Sequence, residues 1–390
     1  MNLLLKKTIS TLITLFISFW VNAQINTQLA PGIDQNNKDL MEVFEVWENY
    51  LASNPNKISN TPYWNNNEKE KYQSYDLLKS HGFLNPGLYA FQTQNVVLYI
   101  KKEGENYTIF SQFYWLDEGK MNPLAITKVL AKKDNNGIFK LQNWLSIHTI
   151  TWKSKKLSNI NYIYPPNFIF NLSEAQKAND FVSKLYKEFE IPSKTVEYYI
   201  FEDCDNLFQS TGFEYVISMG SIPNKCAFFD DENRIVYTIQ ESGEFHKHEL
   251  IHLINTKFPN AHPILLSGLS VYTDSKNSHL GNSFVFHIKE LNNYISTNPS
   301  IDLTNWDNIQ RTNSTTEPYY FIGAVLCHLI LEEGEIDLLK KALSTVSSNE
   351  DVYGFFENEL SLEKSDLNRK IKQTIQKIAK NEEVNFLIDF

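Results

Sequence analysis

The spacing of apolar residues changes along the chain, and each change predicts a different kind of element. Residues 39–53 carry apolar side chains at steps of three and four, which is the spacing of one helix face. Aromatic and β-branched runs, which are typical of strands, follow at 87–101, 107–115, 124–132 and 138–146. The polar segments 102–106 and 133–137 predict hairpin connections. The N-terminal part is therefore predicted to be a helix followed by an antiparallel sheet.

Beyond the Tyr-Pro-Pro segment at 164–166, the pattern becomes mainly helical. Strands are predicted at 195–201 and 234–239. Helices are predicted at 173–188, 243–256, 263–274, 283–296, 318–333, 335–346 and 361–380. We therefore predict an α+β protein in which a strand-rich N-terminal domain (24–160) precedes a mostly helical domain (161–390).

The first 23 residues have the pattern of a secretory signal peptide. Two lysines precede the apolar run 8–20, and a small residue, Ala23, ends the segment. The run is shorter than the ~20 residues that a membrane helix needs, and no other stretch approaches that length. We expect cleavage before Gln24, export to the periplasm or secretion, and no integral membrane segment in the mature chain.

Composition narrows the possible functions further. The 390 residues are 42% apolar and 21% charged, which is typical of a globular protein of about two domains. The net charge of −10, or −12 without the two lysines of the leader, disfavours a nucleic-acid partner, because phosphates require clustered lysine and arginine. Export permits a disulfide between Cys204 and Cys226, although the sequence does not fix that pairing, and Cys327 is expected to be a buried thiol. Nothing in the sequence indicates an oligomeric state.

A cluster of histidines carries the candidate chemistry. Residues 248–252 read H-E-L-I-H, an H-E-x-x-H motif. Residues four apart on a helix share a face, with Cβ atoms about 5–6 Å apart, so His248 and His252 can bind one Zn²⁺ at roughly 2.0–2.1 Å. Glu249 is then placed to accept a proton from a zinc-activated water. His246, two residues earlier, would point to another side of such a helix, and no role is inferred for His279, which lies past the next helix.

Two downstream segments extend this pattern. Residues 263–272 read P-I-L-L-S-G-L-S-V-Y. Together with the motif, they resemble the gluzincin zinc metallopeptidases of the peptidase-MA-like group, in which H-E-x-x-H precedes a helix written approximately P-x-W-L-x-E-G-L-A-x-Y. Residues 320–326 and 331–335 resemble a later helix of that family, which contains a tyrosine. The resemblance spans roughly residues 160–345 and implies a zincin-like (thermolysin-like) domain with a small edge sheet, a Zn²⁺ cofactor, and a peptide or protein substrate.

The chain departs from the family at one position. The family's third zinc ligand is a glutamate, and this chain has Ser267 there, whose hydroxyl is a poor zinc ligand. The third ligand is therefore left open between Glu244, His262, Asp274 and water. The resemblance also implies that Tyr320, or its neighbour Tyr319, donates a hydrogen bond to the oxyanion, although a core aromatic on an apolar helix is an alternative interpretation of Tyr320.

These observations predict an exported zinc-dependent metallopeptidase that hydrolyses peptide bonds with a zinc-activated water. Glu249 and Tyr320 are its candidate catalytic residues, and His248 and His252 are its candidate metal ligands. An alternative is a catalytically decayed peptidase-like protein, with Ser267 in place of the ligand, that binds a protein, peptide or glycan. A third hypothesis is a structural or envelope-assembly role for the aromatic N-terminal sheet, whose function the sequence does not reveal.

Overall fold

The computed structural model describes residues 26–52, 62–68, 93–220, 226–231, 233–310, 315–380 and 387. The predicted signal peptide at 1–23 lies outside the described residues, and so does the start of the strand predicted at 87–101. The chain divides into two units: residues 1–147 with 208–220, and residues 148–207 with 221–390. The first is rich in strands and the second is mainly helical, in agreement with the predicted α+β arrangement.

The strands of the first unit form one sheet. Their bounds are β1 (Asn26–Leu29), β2 (Gln94–Glu103), β3 (Asn106–Asp117), β4 (Lys120–Lys133), β5 (Phe139–Gln142) and β9 (Phe213–Val216). They follow the order β1-β2-β3-β4-β5, with β9 also beside β4, and β1 is parallel to β2 while the other neighbours are antiparallel. A two-residue turn that was not predicted joins β3 to β4, with Glu118 and Gly119 at φ 47° and 77°, as a tight hairpin turn of this type requires.

The first helix, α1 (Lys38–Leu51), covers nearly the predicted range 39–53. It begins where the side chain of Asn37 accepts a hydrogen bond from the amide of Leu40. Its apolar face is buried, and Trp47 on that face donates from Nε1 to Asn95 Oδ1 over 3.0 Å. The ring of Trp47 also packs against those of Tyr50 and Phe113, so aromatic side chains contribute to this core.

The second unit contains a second sheet. Its strands are β6 (Lys153–Lys156), β7 (Ile160–Tyr164), β8 (Val196–Phe201), β10 (Phe228–Asp230) and β11 (Ile235–Ile239). Their order is β10-β11-β8-β7-β6, with the three central strands parallel and both outer strands antiparallel. β6 and β7 were not predicted. Because they pair with this sheet, the unit begins near residue 148 rather than at the predicted boundary of 160.

Most of the described helices also belong to the second unit. Their bounds are α3 (Leu172–Glu188), α5 (Lys247–Ile251), α6 (Pro263–Thr273), α7 (Phe284–Thr297), α8 (Pro318–Thr345), α9 (Asn349–Leu360) and α10 (Lys364–Lys380). Two short helices, α2 (Leu145–His148) and α4 (Cys204–Ser210), each include residues assigned to both units. α8 spans the two helices predicted at 318–333 and 335–346, with non-helical backbone at Gly334 and Glu335 between them. α9 was not predicted. Within the described ranges, no helix is both long enough and apolar enough to cross a membrane.

Helices α6 and α8 approach each other with main chain against main chain. A Cβ atom placed on Gly268 would lie 2.1 Å from the carbonyl carbon of Gly323, and one placed on Gly323 would lie 2.1 Å from the carbonyl oxygen of Ile264. The thiol of Cys327 lies in the same contact and donates to the carbonyl of Leu265 over 3.4 Å. The glycine at position 268 is therefore explained by this close approach.

The remaining cysteines form a bridge within the second unit. Cys204 and Cys226 are joined by a disulfide, with their Cα atoms 5.7 Å apart, which is a typical separation for such a bond. Cys327 is a buried free thiol. The structure thus contains the Cys204–Cys226 disulfide, a pairing that the sequence permitted but did not fix.

Candidate functional site

The H-E-x-x-H segment folds as a short helix that continues into a 3-10 turn. α5 ends at Ile251, and residues 252–256 form the 3-10 turn, so the regular helix is much shorter than the predicted range 243–256. The apolar side chains Leu250 and Leu253 are fully buried. They anchor the segment, and α5 contacts α3, α6 and the edge strand β10.

The two motif histidines lie side by side. The ring centroids of His248 and His252 are 5.4 Å apart, and their planes are inclined at 73°. Nδ1 of His248 donates a hydrogen bond to the carbonyl oxygen of Ser278 over 2.9 Å. Because a carbonyl can only accept, this bond places the proton on Nδ1 and leaves the Nε2 lone pair of His248 for a ligand. A second hydrogen bond of this kind orients many metal-binding histidines.

His252 contacts an amide side chain of the following turn. Nδ2 of Asn255 lies 3.3 Å from Nδ1 of His252 and 3.2 Å from a carboxylate oxygen of Asp231. The amide oxygen of Asn255 is buried and has no hydrogen-bond partner among the described residues. If the side-chain amide of Asn255 were rotated by 180°, its oxygen would accept a hydrogen bond from Nδ1 of His252, and the lone pair on Nε2 would be available for a metal. The hydrogen bond from Asn255 to Asp231 would then be lost.

Desolvation sets the charge of these side chains. Burial lowers the pKa of His248, and burial together with the neighbouring His248 lowers the pKa of His252 to about 3, so both rings are neutral, which is the form that binds metals. Burial, with a smaller contribution from Asp231, raises the pKa of Glu249 to about 8. The described residues donate no hydrogen bond to the Glu249 carboxylate. A buried, unpaired carboxyl group with a perturbed pKa is a common feature of catalytic sites.

Two of the candidate third ligands, Glu244 and His262, form hydrogen bonds with backbone amides. The carboxylate of Glu244 accepts a hydrogen bond from the backbone amide of Asn171. The helix begins only at Lys247, so Glu244 does not lie one helical turn before His248. His262 caps α6, because its Nδ1 accepts from the amide of Ile264 over 3.1 Å.

The other positions discussed from the sequence differ in their relation to the motif. Asp274 follows the last residue of α6. Burial lowers the pKa of His248, and the charge of Asp274 opposes that lowering; the Asp274 carboxylate also accepts from the amide of Asn277 over 3.0 Å. Ser267 lies on α6, which packs against α5. Tyr320 lies near the start of α8, and its ring meets the ring of His279 edge-on at 5.3 Å.

Two further histidines, to which the sequence assigned no metal-binding role, lie beside the motif. The ring of His246 lies 6.2 Å from that of His248, and its Nδ1 is buried without a partner among the described residues. His246 is the N-cap of α5 and has non-helical backbone angles, so the argument from helix spacing does not apply to it. The ring of His279 lies 6.4 Å from that of His248. The signal that would have pointed to both residues is the density of histidines between 246 and 279.

The donor set can be compared with what zinc requires. Neutral imidazoles at this spacing suit zinc, and His248 and His252 supply two of the three protein ligands that a catalytic zinc usually has. Across the described ranges, no group of three or more His, Cys, Asp or Glu side chains stands close enough together to hold a metal ion. These residues therefore fit zinc in type and spacing, and a third protein donor would have to move towards them.

Comparison with known proteins yields only distant structural similarity. No protein-family model matches the chain, and no curated protein matches it. Two solved structures to which it is similar are a mutant of a two-domain M1 zinc metallopeptidase bound to L-arginine and an M1 zinc metallopeptidase from Deinococcus radiodurans. Each is 10% identical with a TM-score of 0.29; the matches cover 74% and 76% of this chain. They cover 63% and 65% of the two metallopeptidases, so the chain spans less than two thirds of either.

Proposed function

We propose that this protein is an exported, zinc-dependent metallopeptidase and that α5 and the turn after it carry its catalytic centre. The observation that carries the proposal is the pairing of His248 and His252, whose rings lie 5.4 Å apart, beside the buried and unpaired carboxyl group of Glu249. A peptide or protein is the proposed substrate.

Each residue of the motif has a defined task in this proposal. His248 and His252 would hold the zinc ion, and the carbonyl of Ser278 keeps the His248 ring in the tautomer that leaves Nε2 without a proton. When bound, the zinc polarises the scissile carbonyl and lowers the pKa of a water molecule. The positive charge of a bound zinc ion would favour the ionised form of Glu249. As a carboxylate, Glu249 would accept the proton that water loses on attacking the carbonyl carbon and pass it to the leaving amine nitrogen. Its burial excludes bulk water, which would compete for that proton.

A tyrosine is proposed to assist at the oxyanion. Tyr320 lies near the N-terminus of α8 and is only partly buried. Donation from this hydroxyl to the developing oxyanion would stabilise the tetrahedral intermediate. Contact between the Tyr320 ring and His279, whose ring neighbours that of His248, supports its place near the centre.

Export is the second part of the proposal. The disulfide between Cys204 and Cys226 supports it, because structural disulfides persist mainly in oxidising compartments. The signal-peptide pattern of residues 1–23 supports it independently. Fractionation of cells that express the full chain, with N-terminal sequencing of the exported protein, tests this part. Retention in the cytoplasm with an intact N-terminus would contradict it.

The catalytic proposal is tested by replacing Glu249. Glu249→Gln keeps the size of the side chain and removes the base, so we expect hydrolysis of a casein or peptide panel to fall by a factor of about 100 or more while zinc remains bound. Glu357→Gln, on the exposed face of α9, is the matched control and should leave hydrolysis unchanged. Equal hydrolysis by wild type and Glu249→Gln would refute the proposal.

A second candidate function is supported by one observation. Within the described residues, no group of three potential metal-binding side chains is assembled, which favours a peptidase-like domain that binds a peptide without cleaving it. Such a domain would bind the same peptides before and after treatment with a chelator. Stoichiometric zinc in the purified protein, lost in His248→Ala, would exclude this alternative.

A further inference from the structure

We propose that His279 is the third protein ligand of the zinc site and that it replaces the carboxylate ligand that Ser267 cannot provide. This inference rests on the proposed function, because it concerns the same metal. It differs from the pattern of H-E-x-x-H followed by glutamate, since the third ligand would come from the loop that follows α6 and not from α6 itself.

The ring positions support this assignment. With zinc–nitrogen distances of about 2.0–2.1 Å, two imidazoles on a tetrahedral ion have their ring centroids about 5.2 Å apart. His248 and His252 are 5.4 Å apart, which is close to that value, and His248 and His279 are 6.4 Å apart. The separation of the His248 and His279 rings exceeds that value by about 1 Å, and a movement of the His279 ring by that amount would bring these two rings to it.

The surrounding contacts hold the loop in the right place. Its residue Ser278 accepts the hydrogen bond from Nδ1 of His248, so the loop and the first ligand are already joined. The carbonyl oxygen of His279 lies 3.0 Å from Nε2 of His287, a fully buried residue of α7. The backbone on both sides of the His279 side chain is therefore anchored, while the ring stays at the edge of the site. Preorganised neighbours of this kind increase metal affinity.

Competing donors are less well placed. Both ring nitrogens of His287 are engaged, with the carbonyl of His279 and with the hydroxyl of Thr316. The carboxylate of Glu244 is bound to a backbone amide, and His262 caps a helix. His246 has a similar distance to His248, and His279 is preferred because its ring also contacts the ring of Tyr320, the proposed oxyanion tyrosine.

Zinc affinity is the measurement that tests the assignment. We expect wild-type protein to bind one zinc ion, measured by elemental analysis and by competition with a chromophoric chelator. His279→Ala should weaken that binding about 100-fold or more, because loss of a direct ligand exceeds the effect of losing a supporting hydrogen bond. His262→Asn, which alters only a helix cap, should bind zinc as wild type does. The Co²⁺-loaded forms provide a second measurement, since loss of one nitrogen ligand changes the visible absorption of the metal.

A second substitution guards against simple unfolding. Ser267→Glu in the His279→Ala background restores a ligand at the position where the related family has one, so zinc binding should recover. Failure to recover would indicate that His279→Ala disrupts the structure, and it would overturn the ligand assignment. Unchanged zinc affinity in His279→Ala, or loss of zinc in His246→Ala but not in His279→Ala, would overturn it as well. In both of these cases the proposed peptidase survives, whereas a wild type without zinc would refute both proposals.

Discussion

The crossing of α6 and α8 predicts a large effect of adding one methyl group. In Gly268→Ala, the new Cβ would lie 2.1 Å from the carbonyl carbon of Gly323 and 2.5 Å from the amide nitrogen of Ala324. Carbon atoms in contact normally lie about 3.5–4.0 Å apart, so the helices must separate locally by more than about 1 Å. The obstructing atoms are backbone atoms and cannot rotate away.

The size of the effect follows from two opposing terms. Overpacking a core typically destabilises a protein by about 1–3 kcal/mol, and a rigid main-chain obstacle places this site at the upper end. Alanine has a higher helix propensity than glycine, which stabilises the folded state by up to ~1 kcal/mol. We therefore expect a net destabilisation of about 2 kcal/mol. The separation would also open gaps around side chains that are now fully buried, such as Leu265 and Cys327.

Urea denaturation followed by far-ultraviolet circular dichroism measures this difference as a lower midpoint. Gly354→Ala is the matched control, because Gly354 also lies in a helix, α9, and its Cβ would meet no atom within 4 Å. The control should raise the midpoint slightly, by the helix propensity of up to ~1 kcal/mol alone. If Gly268→Ala were as stable as Gly354→Ala, the helices would not be in main-chain contact and the reasoning would fail.

Three further predictions concern other parts of the chain. Asn95→Ala leaves the buried indole N–H of Trp47 without its acceptor, so the urea midpoint should fall by the equivalent of about 1–3 kcal/mol; an unchanged midpoint would contradict this. Ellman's reagent should find no reactive thiol in the folded protein, because Cys327 is buried and burial raises the pKa of its thiol. After denaturation without reductant it should find one thiol, because Cys204 and Cys226 are joined in a disulfide. Three thiols would disprove the bridge. Burial lowers the pKa of His262 below its ordinary 6.5, so the unfolded state binds more protons than the folded state does. The free energy of unfolding should therefore decrease as the pH is lowered below about 6.5. His262→Asn keeps a capping acceptor and should make that fall shallower, whereas an identical pH profile would show that this histidine does not contribute.

Local sequence patterns were sufficient for much of the architecture. The helical spacing of residues 39–53 matches α1 within two residues at each end, and most other predicted helices are present as well. Burial of one face imposes a period of 3.6 on the sequence, so this information is local. The strand β6 was missed because the run Lys153–Lys156 is short and exposed and carries no apolar alternation. The strand β7 does alternate, with Ile160, Tyr162 and Tyr164 buried, so the sequence carried a local signal for it.

The sequence by itself determined the chemistry of the candidate site, since the spacing of His248 and His252 follows from one turn of helix. It also identified Ser267 as the departure from the related family. Only the tertiary structure decided what surrounds these residues. The bond between His248 and Ser278, the approach of His279 and the contact of Gly268 with Gly323 join residues from about 30 to 55 positions apart. Such contacts depend on how the helices pack around one core, and no local periodicity records them.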